Sequence, residues 1–202
     1  MTPSTHAPAV PPELEAAGPV REATPADHVA GIAPRWVARP TSTPQVGALL
    51  RVAHAHGLRI VARGAATKQD WGLPPRTVDL VVDTTGLDQI VEYAPHDLVL
   101  RVGAGVRLAT IEALLLGHAQ RLGIDPPRRG TIGGTVATGV TGPMRLIHLG
   151  VRDLVIGMTF VRADGVIAKA GGKVVKNVAG YDIGKLFTGA YGTLGIITEV
   201  GF

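Results

Sequence analysis

The sequence predicts an α+β fold, and three observations carry that prediction. Helical spacing alternates with short β-branched runs through the first half, whereas the second half is mostly β-rich. Asp164-Gly165 lies between two of the β-rich runs, a signal for a two-residue hairpin. Of the 202 residues 46% are hydrophobic and only 18% charged, which is enough apolar material for a sizeable core. The 27 glycines and 15 prolines show no Gly-X-Y period, so collagen-like and low-complexity chains are excluded and the glycines must serve a folded protein.

In chain order, residues 1–39 are rich in Pro and Ala with weak periodicity, and read as an N-terminal segment whose first dozen residues are disordered. Within it, Thr24, Pro25 and Asp27 fit the N-cap, first and third positions of a short helix. The main domain is expected over 40–202. Thr43 as N-cap, Pro44 in the first turn, an apolar face at Val46, Leu49, Leu50 and Ala53, and a stop at Gly57 predict a helix. Strands are predicted over 58–62, 78–83 and 98–103. Leu108, Ile111 and Leu115 mark a second helix closing near Gly117. Residues 130–142, with five glycines, read as a loop, and strands follow over 155–161, 166–170 and 194–200.

Several functional classes drop out. There is no Cys, which removes disulfides, thiolate metal sites and cysteine nucleophiles and suits a reducing cytoplasm. The net charge of +4 is scattered, with nothing longer than pairs such as Arg128-Arg129, and 4% aromatic content gives few stacking platforms, so nucleic-acid binding is disfavoured. No signal peptide and no run of 18 apolar residues is present, so the reading is a cytoplasmic protein without membrane insertion. A P-loop motif is missing, and Gly103-Ala104-Gly105-Val106-Arg107-Leu108 has Leu108 where a dinucleotide fingerprint needs its third small residue.

What remains unusual is three glycine-rich segments beside strands: Arg63-Gly64-Ala65-Ala66-Thr67-Lys68, residues 130–139, and residues 187–198. Tight turns explain most single glycines. Small residues also let backbone N–H groups converge on one anion, and a diphosphate spreads its charge over several acceptor oxygens. Two separate strand-linked loops of this kind point to a nucleotide diphosphate gripped from two sides.

These segments resemble the FAD-binding domain of the p-cresol methylhydroxylase and vanillyl-alcohol oxidase family. Arg63-Gly64-Ala65-Ala66-Thr67 resembles its first loop, Thr131-Ile132-Gly133-Gly134 with Ala137-Thr138 its second, and Gly189 through Thr198 its third. Within the family, Lys173 through Asp182, Thr67-Lys68 with Asp70-Trp71-Gly72, and Ala33 through Val37 are similar to the FAD-binding subunit of bacterial glycolate oxidase. The resemblance implies a two-subdomain FAD-binding fold, a flavin accepting hydride from a 2-hydroxy acid, and a complex with a second flavin subunit and an iron–sulfur subunit. It also implies that residues 63–67 and 131–134 hold the FAD pyrophosphate, that Ala137 and Thr138 lie towards the flavin, that Ile196 and Ile197 approach the adenine, and that Gly192 and Gly195 of the third loop are cofactor-binding. Lys68 is either a further cation there or a solvated surface residue, and Tyr181 and Asp182 are either cofactor contacts or packing and capping residues.

The sequence departs from the family in three ways. Many relatives attach flavin through His or Cys; with no Cys and no His in the first two loops, non-covalent FAD is expected, and His54 and His56 suit a helix C-terminus instead. Tyr191 stands where many relatives carry an acid. Family members continue into a substrate domain, so the resemblance implies that this half is absent from the 202 residues and that no catalytic residue can be named. A non-catalytic FAD module and a fragment of a longer enzyme are the alternatives.

Overall fold

The early alternation of helix and strand builds a small, mainly parallel sheet. A computed structural model describes residues 10–125, 129–172 and 181–202; residues 1–9 of the expected disordered leader, Arg128, and Lys173–Gly180 of the similarity to glycolate oxidase lie outside them. Helix α1 (Pro12–Ala17) is followed by β1 (Val20–Glu22), β2 (Trp36–Ala38), α2 (Thr43–Ala55), β3 (Ile60–Arg63) and β4 (Leu80–Asp83). Their sheet has the order β1-β2-β4-β3, with β1 antiparallel to β2 and the rest parallel. Both β1 and β2 lie upstream of residue 39, so this sheet incorporates the segment that weak periodicity set apart. Strands of three residues are too short to show a period.

Helix α2 packs against residues of both sheets. Its N-cap is Ser42 rather than Thr43: the Gln45 N–H donates to Ser42 Oγ at 3.4 Å, and Thr43 and Pro44 occupy the first turn. The predicted face, Val46, Leu49, Leu50 and Ala53, is fully buried with Leu14, Trp36, Leu80 and Val82 of the first sheet's layer and with Val161 and Ile196 of the second. The helix lies so close to the hairpin at Gly165 that a Cβ on Gly47 would meet the Gly165 carbonyl at 3.1 Å.

The second sheet follows from β5 (Ile90–Ala94), β6 (Val99–Gly103), α3 (Leu108–Leu116), α4 (Ile132–Thr138), α5 (Arg145–His148), α6 (Val151–Leu154), β7 (Gly157–Val161), β8 (Ile167–Gly171), α7 (Ile183–Phe187) and β9 (Ile196–Gly201). It is antiparallel throughout, in the order β5-β6-β9-β7-β8. Its inner face (Leu100, Val102, Met158, Phe160, Val200) packs against Ile111 and Leu115 of α3, Ile132 and Val136 of α4, and Phe187 of α7. The β7–β8 turn differs from the two-residue expectation. The Gly165 N–H donates to Arg162 O, the Arg162 N–H to Val166 O, and Gly165 has φ +79, so a turn ends on a left-handed glycine before β8 begins. Residues 130–142 are the larger difference: α4 stands where a loop was expected.

Candidate functional site

A cleft of about 470 Å³ lies between the β3 edge of the first sheet and the α4–β9 side of the second. Every candidate residue drawn from the three loops lines it except Ile132, which is fully buried in the core of the second subdomain; Tyr181 and Asp182, the alternative cofactor contacts, do not line it.

The first wall begins at Arg63. Its guanidinium reaches Asp27 and Asp83, each at 3.0 Å, while Arg21 grips Asp27 with two bonds at 2.8 and 2.9 Å. The Thr24 N–H and hydroxyl also donate to Asp27, at 2.9 and 2.8 Å. The predicted short helix is thus one 3-10 turn built round this carboxylate. Arg21 foremost, then Thr24 and Arg63, hold the Asp27 carboxyl well below the ordinary carboxylate range against the opposing effect of burial. Arg63 therefore has its charge matched on the far side and positions the loop that follows it. In that loop the N–H groups of Gly64, Ala65, Ala66, Thr67 and Lys68 have no protein acceptor among the described residues. Ala66 adopts φ +56, a left-handed conformation rare for a residue with a Cβ. Lys68 is half-buried, and burial lowers its pKa. Its Nζ donates to Thr67 Oγ1 at 3.2 Å and has no carboxylate partner among the described residues.

The second wall is α4. Thr131 caps it, accepting from the Gly134 N–H at 3.3 Å, and Gly139 closes it at φ +64. The N–H groups of Ile132 and Gly133 donate to Val106 O and Ala104 O, both at 2.9 Å, so these two donors are already satisfied within the fold. Gly134, Ala137 and Thr138 present small surfaces to the cleft. The third wall is tied to the second: Gly189 and Tyr191 donate their N–H groups to Val136 O and Ala137 O at 3.1 and 2.8 Å. Gly192 (φ +77) and Gly195 (φ +150) then lead into Ile196 and Ile197, both almost completely buried at the start of β9. Asp182 proves to be a capping residue, accepting from the Lys185 N–H at 3.1 Å, and Tyr181 is almost fully exposed.

Two of the site glycines have internal reasons to be small. A Cβ on Gly64 would lie 2.2 Å from Thr131 Oγ1, and one on Gly133 would lie 2.6 Å from the Ala104 Cβ. Gly64→Ala should therefore cost about 1–3 kcal/mol by overpacking, and Thr131→Ala alone about 1 kcal/mol by loss of the cap. The double variant should be less destabilised than the sum, because removing Oγ1 relieves the clash. Urea unfolding of the four proteins checks this; simple additivity would refute the contact.

Lining residues that the sequence did not single out include Thr84 and the edge strand from Ile60 to Ala62, and Trp71 and Tyr191, which lay inside or beside the motifs without an assigned contact, line it too. Thr84 donates its hydroxyl to the Arg63 carbonyl at 3.1 Å and steadies the loop. No carboxylate and no imidazole is among the described residues lining the cleft. No group of three or more potential metal ligands occurs among the described residues, and no helix among them is long and apolar enough to cross a membrane.

Residues 34–171 match the family model described as an FAD binding domain. The chain belongs to that family. It is 40% identical over 144 residues to the glycolate oxidase subunit GlcE of Escherichia coli K12, covering 70% of this chain and 41% of the relative. It is 36% identical over 171 residues to the glycolate oxidase subunit GlcD of Bacillus subtilis 168, covering 82% and 36%. The family member described here thus spans well under half the length of these curated relatives. A solved structure of alkyldihydroxyacetonephosphate synthase superposes with a TM-score of 0.71 at 23% identity, covering 84% of this chain and 33% of that one, which supports the two-sheet fold.

Proposed function

We propose that this FAD-binding domain holds FAD non-covalently in the cleft and serves as the flavin-holding part of a 2-hydroxy-acid oxidoreductase of the glycolate oxidase type. The carrying observation is the run of five amides from Gly64 to Lys68 with no protein acceptor among the described residues, beside an ammonium with no carboxylate partner among them. That donor set fits a pyrophosphate. Gly134, Ala137 and Thr138 allow close approach from the α4 side, and Gly192, Gly195, Ile196 and Ile197 shape the β9 end, where the adenine belongs. Thr131, Ile132 and Gly133 contribute the cap and packing of the α4 wall, and Arg63 the anchoring of the amide loop. When bound, the flavin would supply the hydride acceptor.

Non-covalent attachment is supported by the lack of Cys in the chain and of His among the described residues of the cleft; acid precipitation should leave the flavin in the supernatant. The substrate class is supported by relatives named as glycolate oxidase subunits and as D-lactate dehydrogenase. Both glycolate oxidase relatives are named subunits, which supports assembly in a multi-subunit complex; a second flavin subunit, an iron–sulfur subunit and a cytoplasmic location rest on the family resemblance alone.

The test uses Ala66, exposed and already left-handed, a conformation that Asn and Asp tolerate. Ala66→Asp places a negative charge among the amides, whereas Ala66→Asn is its neutral control. The Asp variant should bind FAD at least tenfold more weakly than the Asn variant, with an unchanged melting temperature. Equal affinities would overturn the pyrophosphate assignment. A second reading is favoured by the lack of any carboxylate or imidazole in the described lining: the domain orients the flavin, and the base that takes the substrate's hydroxyl proton comes from elsewhere. Anaerobic glycolate or D-lactate should then leave the flavin of the isolated chain unbleached.

A further inference from the structure

The cleft carries two aromatic side chains to which neither the loop motifs nor the phosphate assignment gives a role. The chain has few aromatic residues, and its other tryptophan, Trp36, is 2% exposed in the core. Trp71 is 46% exposed and Tyr191 51% exposed, and both line the same cavity from different walls. Among the described residues the ring-to-ring contacts are Tyr93 with His118 and Phe160 with Phe187, so neither cleft ring has an aromatic partner. Leaving two large rings half in water forgoes the stabilisation that burial would bring.

Backbone geometry sharpens the case at Tyr191. It has φ +54, unfavourable for a bulky residue, and its N–H is fixed to the Ala137 carbonyl at 2.8 Å. Glycine would suit this position better, as it does at the neighbouring Gly189 (φ +82) and Gly192 (φ +77). On the opposite wall Lys68 Nζ lies 5.9 Å from the Trp71 ring centroid, at the outer limit of a cation–π contact, and Trp71 follows the acceptor-free amides within one short turn.

We propose that Trp71 and Tyr191 form an aromatic clamp for a planar ring of the dinucleotide whose diphosphate occupies the amide loop. This rests on the FAD reading above. The shared chemistry is a flat heteroaromatic face, which isoalloxazine and adenine both offer, and a half-exposed indole and phenol on two walls of one cleft are suited to cover it.

The experiment titrates the whole chain with FAD while following tryptophan emission and, separately, affinity by calorimetry. FAD should quench most of the emission that is lost in Trp71→Phe. Trp71→Ala and Tyr191→Ala should each weaken FAD by about fivefold or more, with Trp71→Phe and Tyr191→Phe close to wild type. Tyr191→Gly keeps the test independent of folding: it should melt no lower than wild type, because the left-handed strain is relieved, yet bind FAD as weakly as the Ala variant. Quenching by FMN alone assigns the clamp to the flavin ring and quenching by ADP alone assigns it to adenine; either supports the clamp. If the wild type binds FAD and all these variants bind within twofold of it, the clamp is overturned while the FAD reading stands. If the wild type takes up no FAD, both fall.

Discussion

Asp27→Asn is expected to destabilise the chain by about 3 kcal/mol at pH 7, because it breaks a buried ion pair from one side only. The Asp27 side chain is 4% exposed and Arg63 is 11% exposed, so neither charge can turn to water when the other is removed. Asn preserves the volume and can still accept from Thr24, but it leaves Arg63 with Asp83 alone and removes the carboxylate that Arg21 pairs with. Because Arg63 immediately precedes the amide loop, the loss should reach the cleft as well, and FAD affinity should fall with stability.

The pH dependence of this effect has a definite sign. The folded-state pKa of Asp27 is depressed below its unfolded value near 4. The stabilisation is therefore fully present above roughly pH 5 and is lost as pH falls through the unfolded value towards the folded one. The gap between wild type and Asp27→Asn, measured by urea unfolding, should be constant from pH 7 to about pH 5 and narrow steadily on further acidification. A gap of the same size at pH 7 and pH 3 would show that Asp27 acts through shape rather than charge.

This network marks where the sequence stopped being readable. Thr24, Pro25 and Asp27 announced a turn, and that turn exists; nothing in a linear pattern says that its carboxylate meets an arginine 36 residues later. Helices α2 and α3 were legible because their apolar faces recur at helical spacing over nine or more residues. Strands β1 and β2 were not, being three residues long. Helix α4 was hidden by its own glycines, poor helix formers in isolation, and it stands because Thr131 caps it, Gly139 ends it and its apolar side is buried. The cleft was legible in outline: three separated segments do converge. What the sequence could not distinguish was a glycine that is small for a ligand from one that is small for a neighbour. Gly64 and Gly133 have protein atoms where a Cβ would go. The feature that does point outward, a run of unpartnered amides, is a property of backbone positions and has no residue signature.

The same distinction predicts the second large effect. Ile132 sits in the middle of one of the motifs that resemble a flavin-binding loop, yet it is fully buried in the same core as Val106, Val136 and Phe160 and does not line the cleft. Ile132→Ala should remove packing at a site fixed on both sides, since its N–H is held by Val106 O and its helix is tied through Gly133 to Ala104. A loss of about 3 kcal/mol is expected, within the range for large-to-small changes in a rigid core. Ile132→Val should lose about 1 kcal/mol. The folded fraction of either variant should nonetheless bind FAD within about twofold of wild type once affinity is corrected for the unfolded population. A contact residue would behave in the opposite way, losing affinity with little change in urea midpoint. Measuring both quantities on the same two variants therefore separates the motif's structural residues from those that would touch the cofactor, and an affinity loss at Ile132→Val without a stability loss would return Ile132 to the binding surface.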